Sequence, residues 1–184
     1  METNTRSLFS QSLIYGGLTG LASIVFALIM YILDVEPKNP VMYFSFAILL
    51  AGIILGDLNF RNKIKGGVLT FGQAFLLGFL IIVIAGVISS VYTFVFYTFF
   101  DPAAHAKIVN NALEQAELKM IEQGQPSENI EMGLKYARMF MSPAAMALFG
   151  LLWSLILGAV LALITAIFVK KEDKSFEAAV KDVN

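Results

Sequence analysis

The sequence has no cysteine and a single histidine, His105, among its 184 residues. The first absence excludes disulfides, thiolate metal sites and cysteine nucleophiles, and makes the chain indifferent to the redox state on either side of a membrane. Charge is scarce as well: 13 Lys and Arg stand against 14 Asp and Glu, a net charge of -1. Nucleic-acid binding needs a concentrated cationic surface, so that class is excluded. A nucleotide loop of the Walker type is missing too. In "FRNKIKGGVLTFGQAF", residues 60–75, the lysines precede the glycines, no Gly-Lys-Ser/Thr follows, and what comes before is an apolar run rather than a strand. No cofactor is therefore expected.

What the sequence has in abundance is apolar surface: 58% of residues are hydrophobic and the mean hydropathy is +0.74. Soluble domains hold roughly 45–50%. A helix needs about 20 apolar residues to cross a hydrocarbon core of roughly 30 Å, and four segments qualify, at 12–33, 41–58, 68–100 and 144–169. The fold class expected is all-α, a polytopic membrane protein in one membrane domain over 1–184. Arg6 precedes the first span, but that span exceeds the roughly 7–15 residues of a secretory core and no small-x-small site follows it. It reads as retained. The hinge "DVEPKNP" is so short that the first two spans must be antiparallel.

Lys and Arg favour the cytoplasmic side. Arg6, the group Arg61, Lys63 and Lys65, and the tail with Lys170, Lys171, Lys174 and Lys181 fall on one side if four spans alternate. Both termini and the 170–184 tail are expected in the cytoplasm, with residues 101–143 outside. In that outer segment "YTFFDP" places Asp101 as the cap and Pro102 as the first residue of a helix. Val109, Leu113, Ala116 and Met120 form one apolar stripe, and Ile130, Leu134, Ala137 and Met141 form another after a Ser127 cap. Two such stripes make an amphipathic helical hairpin. Surplus apolar residues, among them Met132, Met139 and Phe140, would rest on the bilayer or a partner.

Helices in lipid associate where small residues let backbones approach. Gly16 and Gly20, Gly52 and Gly56, Gly78, and the strictly spaced Gly150, Ser154 and Gly158 are the expected packing positions of a four-helix bundle. The small positions on the last span exceed what one neighbour needs, which points to a homo-oligomer. "YGGLTGLAS" and "KGGVLTFGQAF" share a glycine pair, but aligning them needs an insertion, and an internal duplication is the weaker reading.

Chemistry is thinly represented. The hairpin methionines and the "MFM" spacing resemble a cuprous site, yet adaptable packing accounts for them better. His105 reads as a solvated histidine with no second ligand, and no metal is expected. Asp57 is the only acid at a span's edge, with no intramembrane acid to partner it, so no catalytic pair is visible and an enzyme is not expected. Arg61, Lys63 and Lys65 are candidates for contact with anionic lipid or a partner. Gln73, at the mouth of the third span, joins them because topology does not explain its amide, which would either bond a neighbouring backbone where the helix enters the core or contact a lipid phosphate or partner.

"GDLNFRNKIKGGVLTFGQAFLLGF", "YTFFDP", "LEQAELKMIEQG" and "FMSPAAMALFGLLWSLILGAVLALI" occur in this order over nearly the whole chain. Together they resemble the bacterial integral-membrane family known as domain of unknown function 4199. The resemblance implies a four-span protein of the bacterial inner membrane with an extracytoplasmic helical hairpin, and assigns no activity or ligand. Relatives are often encoded beside a membrane-associated glycosyltransferase, which implies a partner in envelope or lipid-linked sugar assembly. The function expected is that of a non-enzymatic accessory or assembly subunit. The alternative is a small transporter or lipid-handling protein with a path through the bundle or an oligomer.

Overall fold

The computed structural model describes residues 2–35 and 39–171. Among these residues six α-helices follow one another: α1 (Glu2–Ile32), α2 (Phe44–Asn59), α3 (Phe71–Val95), α4 (Pro102–Glu122), α5 (Ser127–Phe140) and α6 (Pro143–Val169). Among the described residues there is no strand, only an isolated antiparallel bridge between Leu69 and Lys171. The fold is all-α, and the segments Ser7–Ile32, Pro40–Ile64, Phe71–Phe100 and Pro143–Val169 are long and apolar enough to cross a membrane.

Element ends follow local chemistry. α1 begins well before residue 12, because "ETNTRSLFSQS" holds neither proline nor glycine to interrupt it. It stops at Asp34, whose positive φ of 48° turns the chain; Asp tolerates this left-handed conformation better than most residues. Glu36 and Pro37 of the hinge, and Lys174 and Lys181 of the tail, lie outside the described residues. A single 3-10 turn, Pro40–Tyr43, leads into α2, with the Asn39 side chain accepting from Val41 N at 3.0 Å. α2 runs on past residue 58 through a π-type turn, Phe60–Ile64, and α3 likewise through Phe96–Phe100. α6 starts with Pro143 in its first turn, and the Ser142 hydroxyl accepts from Ala145 N at 3.3 Å.

The chain divides into two compact units, residues 1–88 with 153–184, and residues 89–152. In the first, glycines set the contacts. A Cβ on Gly16 would lie 2.7 Å from Ile84 Cβ, and one on Gly20 would lie 3.1 Å from Ile88, so α1 packs directly on α3. Gly52 lies against Thr19 and Gly56 against Tyr15, which fixes an antiparallel α1–α2 pair. A Cβ on Gly78 would lie 2.7 Å from Ile53 and 3.3 Å from Ala162, and one on Gly158 would lie 2.8 Å from Ile82, so α3 also packs on α2 and α6. α3 is consequently the central helix of this unit, with Ala74, Leu77, Ile81, Ile82 and Ala85 buried. Several hydroxyls on the spans bond within their own helices: Ser12 donates to Leu8 O at 3.0 Å, Ser23 to Thr19 O at 2.9 Å and Thr165 to Leu161 O at 2.9 Å. That is how small polar side chains are accommodated without water.

Two packing expectations change. Gly150 is exposed and a Cβ there would meet no atom within 4 Å, so among the described residues it packs on nothing, while Ser154 is half-buried. The fourfold spacing is genuine, but only its later part, Gly158, Ala162 and Ala166, is covered. The glycine pairs of the apparent repeat also differ. Gly16 is helical, whereas Gly66 and Gly67 sit in a turn with φ of 61° and 96°, so the two copies do not correspond in structure.

In the second unit, Tyr92, Phe96, Tyr97 and Phe100 make a run of ring contacts at centroid distances of 5.4 to 6.4 Å. The Asp101 side chain accepts from Ala104 N at 2.8 Å and starts α4 with Pro102 in its first turn. α4 and α5 lie antiparallel, since Gly133 packs against Met120 near the turn while His105 reaches Met141 at the far end. Gly124, with φ of 68°, makes the turn. Ser127 does not cap α5: it is already the first helical residue, preceded by Pro126, whose ring favours the extended conformation found there.

Candidate functional site

The start of α3 and the end of α6 are tied by the Leu69–Lys171 bridge, with both N–H···O distances 2.9 Å. Arg61, in the π-type turn after α2, donates from Nη1 to the Val169 carbonyl at 3.0 Å and from Nε to Asn62 Oδ1 at 3.1 Å. Val169 O is one of the carbonyls that a helix end leaves without an intrahelical partner, so a cation is well placed there. Lys65 Nζ stands 5.9 Å from the centroid of the Phe60 ring, within cation–π range. Lys63 is exposed. Three predicted residues and the main chain of Lys171 are thus gathered at one end of the first unit, although Lys171 is more than a hundred positions away in the chain.

Gln73 bonds the neighbouring backbone, the first of its two expected roles. Its Oε1 accepts from Thr70 N, and its own N–H donates to Thr70 Oγ1, both at 3.4 Å. This reciprocal pair is a capping box, Thr-x-x-Gln, which satisfies amides left open at the start of α3. The signal was present in "TFGQ", masked by its position at an expected membrane threshold.

One residue outside the predicted set stands out. Asp57 has no exposed surface, and neither of its carboxylate oxygens has a hydrogen-bond partner. It shares the inward face of α2 with Ile53, Gly56 and Phe60, a three-and-four spacing. Arg61, one turn on, is engaged elsewhere. A sequence signal existed, because Asp57 falls beside the small residues of α2 rather than on the opposite face.

His105 also departs from expectation. It is half-buried, its Nε2 lies 2.8 Å from Met141 O, and its ring sits 5.7 Å from that of Tyr97. It fastens the far end of the α4–α5 pair rather than standing in solvent. On α5, Ile130, Leu134, Ala137 and Met141 are half-buried, while Met132, Tyr136, Met139 and Phe140 are exposed.

These features define an all-α protein with four helices fit to cross a membrane and two further helices, α4 and α5, between the third and fourth. Residues 14–171 match the family model described as Protein of unknown function (DUF4199), and the chain belongs to that family. No curated protein matches the chain, and no solved structure does.

Proposed function

We propose that the protein is a non-enzymatic accessory or assembly subunit of the bacterial inner membrane that presents α4 and α5 to an envelope partner on the outer side. The observation that carries this reading is the second apolar face of α5. Met132, Tyr136, Met139 and Phe140 recur at four, three and one, which places them on one side of the helix, and all four are about half exposed or more. Leu118 and Ile121 extend the apolar surface on α4. An amphipathic helix in water would leave that side polar. The neighbourhood of relatives to membrane-associated glycosyltransferases makes such an enzyme the first partner to seek.

The test is photocrosslinking from Met139 or Tyr136 positions in native membranes, followed by purification. A reproducible protein adduct that disappears when Met132, Met139 and Phe140 are all changed to Gln supports the reading. Crosslinks to lipid alone would overturn it. Asp57 favours the second reading, a small transporter or lipid-handling protein, because ionisable groups within spans often line solute pathways.

A further inference from the structure

We propose that Asp57, together with Gln11 and Ser12 of α1, forms a buried binding site for a small monovalent cation, a proton or a sodium ion. This inference is independent of the role of α4 and α5. Both oxygens of Asp57 and Oε1 of Gln11 are buried without a hydrogen-bond partner. Ser12 has no exposed surface and spends its hydroxyl hydrogen on Leu8 O, leaving oxygen lone pairs.

Helix register places these groups within about one turn of each other. Thr19 packs on Gly52 and Tyr15 on Gly56, so one further turn of the antiparallel pair sets Gln11 and Ser12 beside the turn that holds Asp57 and Phe60. Leu8 and Phe60 belong to the same buried cluster, which closes the site from the end. The buried atoms of this set left without a partner, Asp57 Oδ1 and Oδ2 and Gln11 Oε1, are all acceptors. A buried carboxylate without a partner is costly, and oxygen ligands without donors suit a hard cation or a proton.

Few other groups compete. Tyr15 on α1 packs against Gly56, next to Asp57 in the chain, and Arg61 on α2 is bonded to Val169 O and Asn62. Between Phe71 and Val95, α3 has Tyr92 as its one titratable side chain, several turns away in sequence, and α6 has none between Pro143 and Val169. Lys63 and Lys65 lie beyond Arg61 in the turn that follows α2. The cation would compensate the carboxylate where α1, α2 and α3 meet, and packing of these helices would depend on its presence.

The experiment uses the full chain purified in detergent. Dicyclohexylcarbodiimide modifies protonated carboxyl groups in apolar surroundings, and peptide mass analysis locates the adduct. Modification of Asp57 that sodium chloride suppresses, and choline chloride at the same concentration does not, identifies a sodium site. Modification that falls only as pH rises, with no effect of sodium, identifies a proton site. In either case the melting temperature should rise with the identified cation, Asp57→Asn should lose that dependence, and Ser12→Ala or Gln11→Leu should move its midpoint to higher cation concentration. The proposal is overturned if Asp57 is unmodified under all conditions, or modified equally under all. It is also overturned if Arg61→Gln removes the dependence as fully as Asp57→Asn, because the carboxylate would then be a counter-ion to Arg61.

Discussion

At the scale of single residues, the small side chains of the spans are not equivalent. Gly158 is buried, and a Cβ there would lie 2.8 Å from Ile82, whereas the same addition at Gly150 meets nothing within 4 Å. Forcing bulk into a packed contact costs about 1–3 kcal/mol. Gly158→Leu should therefore lower the melting temperature in detergent clearly, and Gly150→Leu should leave it unchanged. Equal losses at both positions would mean that Gly150 is covered by another chain, as in the expected homo-oligomer. Asp57 shows the same dependence on position: one turn nearer the membrane surface an acid would be hydrated, but on the face of Ile53 and Phe60 it is enclosed.

At the scale of elements, three helices are started by side-chain caps. Thr70 and Gln73 cap α3, Asp101 caps α4, and Ser142 caps α6. Loss of a cap residue costs about 0.5–2 kcal/mol. The long 3.4 Å bonds of the Thr70–Gln73 pair place it at the lower end of that range. Thr70→Ala and Gln73→Leu should each destabilise the protein modestly, and the double variant should cost less than the sum, as shared partners require. Full additivity in thermal unfolding would show that the two side chains act separately and that Gln73 contacts something else. The Leu69–Lys171 bridge and the Arg61–Val169 bond join the entry of α3 to the exit of α6, so the turn at Gly66 and Gly67 serves the tertiary contact as well as the reversal. Those two glycines have positive φ, which other residues adopt only with strain.

At the scale of the whole molecule, the absence of cysteine leaves a clean background for mapping topology. Single cysteines at Lys63 and Lys171 should react with an impermeant maleimide from the cytoplasmic side, and one at Glu128 from the opposite side. Labelling of Lys63→Cys and Glu128→Cys from the same side would reject the proposed four-span arrangement. Hydropathy and the Asp101–Pro102 junction were enough to establish an all-α chain with four apolar helices and the place where α4 begins. Such features depend on composition and near neighbours, because a bilayer-length helix satisfies its own backbone whatever it packs against. The sequence alone did not distinguish Gly150 from Gly158, or identify what Gln73 bonds, since one stripe of small residues and one amide fit several environments. Only the tertiary structure decided which face of each helix is covered, and with it the enclosure of Asp57, the pairing of Arg61 with Val169 and the fastening of His105 to Met141. These follow from side chains brought together across long stretches of chain, where contact is determined by helix register and close approach rather than by residue type.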